Sequence, residues 1–279
     1  FMSTHGLDFP IVLKPDQGER GAGVAIIKSE RELSAYLRRA TAATIIQEYI
    51  AGREYGVFYY RYPESVTGRI FAITDKRFPV LTGDGVATLE QLILRDERAV
   101  SMARTYCEQH RERLLTVPAA GERIQLVELG THCRGAIFLD GAQLKTPALE
   151  EAIDCLSKGY EGFYFGRYDI RTPSEADFTA GRNFKVVELN GVTSEATNIY
   201  DPQNGLASAY KTLFAQWRIA FEIGAQHRLR GAEPLGLRAF VKMVFDYFCQ
   251  GGNDAPLVSA QQVDAKKTRA RLPVRAAES

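Results

Sequence analysis

The sequence predicts an α+β fold, on three observations. Apolar runs of strand length and apolar residues at helical spacing both occur along the chain. They are mixed without the strict βαβ alternation of a doubly wound parallel sheet. The one glycine-rich loop joins two strand-like runs, whereas a Rossmann loop opens a helix.

Taken in order, residues 11–14 form an apolar strand closed by Pro15, and residues 24–28 form a second, β-branched one. Ser29 caps a helix, with Glu32 in the box position and Leu33, Tyr36, Leu37 and Ala40 as its apolar face. Residues 43–50 return to strand, Ala51-Gly52 marks a turn, and residues 54–62 and 69–74 read as an antiparallel pair. Gly83-Asp84-Gly85 is a tight turn before a helix capped at Thr88, with Gln91 in the box position. A longer helix is expected over residues 97–114 and a strand over 124–129. Thr146-Pro147 opens a helix that ends before Gly159. Residues 163–170 and 184–189 are strands, and 206–225 and 237–248 are helices. From Gly251 onward aromatics vanish and small and charged residues dominate, so residues 251–279 read as a disordered tail.

Composition narrows the function classes. The 279 residues are 45% apolar and 25% charged, enough to bury a sizeable core. A net charge of +1 gives no electrostatic footprint for nucleic acid or an anionic membrane. The longest apolar stretches, such as residues 42–46, are far too short to span a bilayer, and the first residues lack the regions of a signal peptide. Four widely spaced cysteines without a C-x-x-C pair read as reduced thiols of a cytoplasmic protein and disfavour zinc. His132 and Cys133 are not a protease pair, because adjacent strand residues face opposite ways.

Two constellations carry chemistry. Gly18, Gly21 and Gly23 let backbone N–H groups approach an anion, so this loop can cradle phosphates. Its G-x-x-G-x-G spacing is neither a Walker nor a Rossmann loop. Without a ligand, such a loop is simply a mobile hairpin. Lys14, ending the strand before it, would place an ammonium near phosphates the loop covers. Late in the chain stand Asp169, Glu188 and Asn190. Residues two apart on a strand share a face, so Glu188 and Asn190 can meet one ion, with Asp169 arriving from a neighbouring strand. Two acids and an amide suit magnesium, which takes few protein oxygens and completes its shell with nucleotide phosphates.

These segments resemble the ATP-grasp superfamily, within it the D-alanine–D-alanine ligase and cyanophycin synthetase branches. The resemblance covers roughly residues 9–201, in the family's order. Phe9-Pro10-Ile11-Val12-Leu13-Lys14-Pro15 looks like the first phosphate-binding strand, and Gln47-Glu48-Tyr49-Ile50 through Glu54 like the hinge that holds adenosine. Gly166-Arg167-Tyr168-Asp169 and Glu188-Leu189-Asn190 look like the metal-site strands. Thr82-Gly83-Asp84-Gly85 is similar to a segment of the cyanophycin-type enzymes.

The resemblance implies two α+β subdomains clasping a nucleotide: residues 1–52 as the remaining part of the small (lid) subdomain and 53–225 as the large one, then a helical extension over 226–250. It implies ATP and one or two Mg2+ ions as cofactors. Lys14 would bind the α/β-phosphates, and Glu48, Tyr49 and Ile50 the adenine. Glu54 would hold the ribose hydroxyls, and Lys76 or Arg77 the phosphates from the large subdomain. Asp169, Glu188 and Asn190 would bind magnesium, and Arg167 would face the charge developing at an acyl phosphate. The implied activity is an ADP-forming carboxylate–amine ligase acting on a small amino acid or peptide-like carboxylate, with small-molecule carboxylate and amine partners, no nucleic-acid or membrane partner, and a homodimer left open. The alternatives are a nucleotide-binding remnant or regulatory module without ligase activity, and an ATP-grasp kinase.

Two departures set further expectations. Such ligases usually carry a domain and another phosphate-binding lysine before the first strand, so the chain reads as a fragment of a longer protein, or that half is supplied differently. After Asn190 the chain reads Gly191-Val192-Thr193-Ser194-Glu195 in place of the Pro-Gly of D-alanine ligases, which argues against D-alanine. Thr193, Ser194 and Arg134 are then the candidate substrate contacts; a bidentate arginine suits a carboxylate, although a surface ion pair suits it equally.

Overall fold

The computed structural model describes residues 1–16, 21–128, 130 and 135–249. Gly18, Arg134 and the stretch 251–279 therefore lie outside the described residues. The chain divides into two compact units, Phe1–Glu233 and Pro234–Ser279.

The first unit opens with β1 (Ile11–Pro15), β2 (Ala25–Ile27), α1 (Glu30–Leu37) and β3 (Thr44–Glu48). The strands form an antiparallel sheet in the order β2-β1-β3. Alternation turns Ile11 and Leu13 inward, where Ile27 and, from α1, Leu33 and Tyr36 cover them. Ser29 caps α1 by accepting from the Glu32 amide. Glu32 bonds the amide of Lys28 rather than of Ser29, so the expected capping box is only half formed.

Next come β4 (Arg53–Tyr60), β5 (Arg69–Arg77), β6 (Val80–Thr82), α2 (Leu89–Arg95), α3 (Ala103–Gln109), β7 (Arg123–Gln125) and β8 (Ile137–Asp140). Then follow α4 (Pro147–Lys158), β9 (Phe165–Thr172), α5 (Glu175–Thr179), β10 (Lys185–Asn190) and α6 (Leu206–Leu229). Five of the strands form a second antiparallel sheet, β10-β9-β4-β5-β8. α2 carries the full Thr88–Gln91 capping box, and α4 starts on the Thr146 cap with Pro147 in its first turn.

Three expectations are corrected. The helix over 97–114 is broken: Asp96 is extended and its side chain accepts from the amides of Arg98 and Ala99, starting a short 3-10 turn before α3. The strand over 124–129 shrinks to β7, which pairs with β6. β6, β8 and α5 went unread, being three to five residues long with no periodicity of their own.

The five-stranded sheet has two unlike faces. On one, Tyr55, Val57, Tyr59, Ile73, Tyr168 and Ile170 bury against Leu149 and Ile153 of α4 and Phe178 of α5. On the other, Phe58 and Phe165 pack with Ile219, Ala220 and Ile223 of α6. Further along that face the alternating positions are charged: Glu54, Lys76, Asp169 and Arg171.

Gly52 sits in the turn between β3 and β4, that is, between the two sheets. Its φ of 113° suits glycine, and a Cβ there would strike the carbonyl of Thr172. Gly52→Ala is expected to cost about 1–3 kcal/mol, read as a lower denaturation midpoint. An unchanged midpoint would show that this turn is not constrained by β9.

The second unit is described over residues 234–249 and carries α7 (Leu237–Cys249), whose Leu237, Phe240, Val241 and Phe245 are exposed. Among the described residues no helix is long and apolar enough to cross a membrane.

Candidate active site

A cavity of about 510 Å³ lies within the first unit. The three-stranded sheet contributes Val12, Lys14 and Gln47; the loop before β2 contributes Gly21 and Ala22; and the hinge contributes Glu48, Tyr49 and Ile50. The charged face of the larger sheet contributes Glu54, Lys76, Asp169, Arg171 and Glu188. Residues up to 177 apart in sequence thus meet in one concave site, the usual setting for a ligand.

The cavity floor is an ion network. Lys76 Nζ lies 2.9 Å from Glu54 Oε1 and 3.1 Å from Asp169 Oδ2, and is itself buried. Arg167 Nε reaches Asp169 Oδ1 at 3.2 Å. Arg171 donates from Nε to Glu54 Oε2 at 2.8 Å, and to the carbonyls of Ile50 at 2.8 Å and Glu128 at 3.1 Å. Its guanidinium also lies against the rings of Tyr49 and Phe78.

Burial opposes ionisation of Asp169, but Lys76 and Arg167 outweigh it and hold the carboxyl below the usual carboxylate range. Burial likewise opposes the Lys76 charge, and Asp169 and Glu54 overcome it, raising its pKa. Glu188 behaves differently. It is the ladder partner of Asp169, and burial together with that neighbouring charge pushes its carboxyl up. Its side chain is solvent-exposed where it lines the cavity, so the burial it feels is crowding by the surrounding protein rather than closure from water.

A bulge between Val186 and Glu188 shapes this corner. It frees the Val187 carbonyl from the ladder, and Lys14 Nζ (3.4 Å) and Gln47 Nε2 (3.2 Å) donate to it from the smaller sheet. Lys185 binds Glu48 at 2.6 Å, and Lys28 binds Glu128 at 2.9 Å, both at solvent-exposed positions. Asn190 ends β10 opposite Arg167, and its Nδ2 is buried without a hydrogen-bond partner among the described residues.

Of the residues singled out in the sequence, Lys14, Gly21, Glu48, Tyr49, Ile50, Glu54, Lys76, Asp169 and Glu188 all line the cavity. Arg77 does not: it stands one residue beyond Lys76, on the opposite face of β5, paired with Asp75 at 2.6 Å. Gly23 is left-handed at φ 72° and backs onto Pro15, outside the lining. Arg167 runs past Asp169 to the carbonyl of Glu195 at 2.8 Å. Ser194 turns its hydroxyl back to Gly191 O at 2.6 Å, and Thr193 is exposed. Arg171 was the residue missed. Its signal was legible: Arg167, Asp169 and Arg171 alternate with buried Tyr168 and Ile170, placing three charges on one face of an interior strand.

Arg171→Met should destabilise the chain by about 2–3 kcal/mol, because Glu54 and two carbonyls lose a charged donor at once. Chemical denaturation measures this. A loss no larger than that of Arg167→Met would show that the three bonds do not act together.

The fold and site define a class: two antiparallel sheets, one small and one large, facing a charged cavity of about 510 Å³. No family model matches the chain. In an alignment of 207 residues that covers 66% of this chain and 27% of the relative, the chain is 30% identical to the glutathione biosynthesis bifunctional protein GshAB of Streptococcus agalactiae serotype V. In an alignment of 91 residues that covers 30% of this chain and 10% of the relative, it is 32% identical to the cyanophycin synthetase of Geminocystis herdmanii. The chain thus spans about a quarter of the length of the first relative and a tenth of the second. Among solved structures, the D-alanine–D-alanine ligase of Bacillus anthracis aligns at TM-score 0.41 and 17% identity, over 82% of this chain and 58% of that one. A bifunctional glutathione synthetase of Pasteurella multocida aligns at TM-score 0.39 and 15% identity, over 77% of this chain and 32% of that one. These sequence similarities support the resemblance to the ATP-grasp ligases, and the fold is α+β, as expected.

Proposed function

We propose that this chain supplies the nucleotide and magnesium half of a carboxylate–amine ligase that works through an acyl phosphate. One observation carries the reading: a single cavity joins Lys14 and the glycine loop on one side to Lys76, Asp169 and Glu188 on the other. Phosphoryl transfer needs positioning and charge neutralisation more than covalent help. Lys14 and Lys76 are the cations placed to meet phosphates. Glu48, Tyr49 and Ile50 form the adenine edge. Glu54 already accepts from Lys76 and Arg171, and each oxygen keeps a second lone pair for a ribose hydroxyl.

The residues fit magnesium. Glu188 is a carboxylate beside Asp169 that makes no salt bridge among the described residues, with Lys76, Lys14 and Arg167 acting on it only from a distance, and Asn190, two residues on along the same strand, carries an amide oxygen of the kind magnesium takes. Asp169, Glu188 and Asn190 would hold one or two ions, which when bound neutralise the phosphate oxygens. Arg167 would lie against the charge developing on the acyl phosphate. The substrate carboxylate attacks the γ-phosphorus and ADP leaves; the amine then attacks the acyl carbon, and phosphate departs with formation of the C–N bond. The loop carrying Gly21 and Ala22 would exclude water from that intermediate. The chain's relation to ligases, and the departure after Asn190, favour a small amino acid or peptide-like carboxylate other than D-alanine.

The test is incubation with ATP, magnesium, and pooled carboxylates and amines. ADP and phosphate are the expected products, in amounts that depend on both pools. AMP and pyrophosphate would overturn the acyl-phosphate route. ADP formation that needs no amine and leaves a stable phosphoryl product would mean a kinase.

A further inference from the structure

α6 has two apolar faces, and among the described residues only one is covered. Gln216, Ile219, Ala220, Ile223 and His227 lie on one side of the helix. Gln216 is fully buried; it accepts from the Ala196 amide at 2.8 Å and donates to the Ser194 carbonyl at 2.9 Å. Ile219, Ala220 and Ile223 pack on Phe58 and Phe165, and His227 meets the ring of Tyr164 edge-on. This is the face that seats the helix on the sheet.

The second face comprises Leu206, Tyr210, Phe214, Trp217 and Phe221, exposed to 75%, 54%, 74%, 51% and 79%. At about 100° per residue, these five fall within a band roughly 80° wide, centred about 120° around the axis from the seated face. The neighbouring Tyr210 and Phe214 rings lie 6.4 Å apart between centroids, as expected for side chains on one stripe. Lys211, Arg218 and Glu222 flank it along one side only. A helix amphipathic toward its own core needs one such stripe. A second stripe made almost wholly of aromatics is not accounted for by the fold of this unit.

Area and symmetry indicate what covers it. Four aromatics and a leucine, each more than half exposed, present on the order of 600 Å². That is at the upper limit of the largest patch on a typical monomer. Two such stripes facing each other would remove about 1,200 Å² from water, where specific dimer interfaces begin. A two-fold interface must also be complementary to itself. The stripe is: its members stand at −8, −4, 0, +3 and +7 residues from Phe214, nearly the same in either direction. Antiparallel pairing would set Phe214 against Phe214 at the axis, Tyr210 against Trp217, and Leu206 against Phe221, each large side chain meeting another.

We infer that the Leu206–Phe221 stripe of α6 is the contact face of a two-fold homodimer, built by antiparallel packing of this helix on its copy. The proposal does not rest on the ligase reading, since no stripe residue lines the nucleotide cavity.

The experiment is sedimentation velocity on the full chain at micromolar concentrations, alone and as F214D and F221D. The expected result is a species of twice the monomer mass that each substitution weakens at least tenfold in dimerisation constant, with far-ultraviolet circular dichroism unchanged. F214C adds a positional test: oxidation should cross-link the dimer through position 214, whereas A215C, one residue off the stripe, should not. A monomer at 100 micromolar, a dimer indifferent to both aspartates, or equal cross-linking at 214 and 215 would each overturn the proposal.

Discussion

Replacing Lys76 with methionine is expected to lower the thermal midpoint by roughly 10 °C. The ammonium is buried between two buried carboxylates, Glu54 at 2.9 Å and Asp169 at 3.1 Å. Removing one partner from a buried ion pair typically costs about 3–5 kcal/mol, because the remaining charge is left in a poor solvent. At about 2–4 °C per kcal/mol for a unit of this size, the shift is large. Arg171 still holds Glu54 and Arg167 still holds Asp169, so collapse is not expected. Adding Asp169→Asn to Lys76→Met should return part of the loss, since the stranded charge goes with it. A scanning calorimetry midpoint within a degree of the parent would show that water enters the cavity and solvates the pair.

Glu188→Gln is expected to show the opposite profile: ATP turnover falling about 10²–10³-fold with no loss of stability. Glu188 lies next to Asp169 on the paired strand and makes no salt bridge among the described residues; Lys76, Lys14 and Arg167 act on it only from a distance, and burial and Asp169 outweigh them. Its charge is thus a cost to the folded chain and an asset only when a cation binds. The pH dependence separates the two carboxyls. Asp169 has a lowered pKa, so the unfolded chain takes up its proton first, near 3.8; the stability it contributes is full above that value and drains as pH falls through the folded value. Glu188 has a raised pKa, so it favours the folded state below its ordinary 4.5 and this advantage is lost as pH rises through the folded value. Glu188→Gln should therefore match or exceed the parent in stability at neutral pH, while Asp169→Asn should fall below it. Parental turnover by Glu188→Gln would remove it from the proposed metal site.

The contrast between these two substitutions shows where sequence reasoning reached its limit. Lys76 and Arg77 are adjacent, and both were candidates for a phosphate contact. Nothing local distinguishes them, since each is a cation at the end of an apolar strand. The pleat of β5 separates them: pairing with β4 turns Lys76 to the cavity and Arg77 to Asp75 on the other face. Ser194 is a similar case. Its residue type suits a substrate contact, yet the turn after β10 satisfies its hydroxyl on the Gly191 carbonyl. Arg171 was hidden for the reverse reason. Strand alternation was enough to place it beside Asp169, but its worth comes from Ile50 and Glu128, which are 121 and 43 residues away.

By itself the sequence determined the α+β class, most of the long strands and helices and the strand–glycine loop–strand order, and it singled out Lys14, Glu48, Glu54, Asp169, Glu188 and Asn190 as candidates, all but the last of which line one cavity. These follow from periodicity, capping and residue chemistry, which act over a few residues and can be read along the chain. Only the tertiary structure decided which charges neutralise one another and which stay uncompensated. The bulge at Val187 turns its carbonyl toward Lys14 and Gln47. The antiparallel order β10-β9-β4-β5 brings Glu188, Asp169, Glu54 and Lys76 onto one face. Electrostatic energy depends on distance and burial rather than on position in the chain. A network of charges is therefore decided when distant strands pair, and not before.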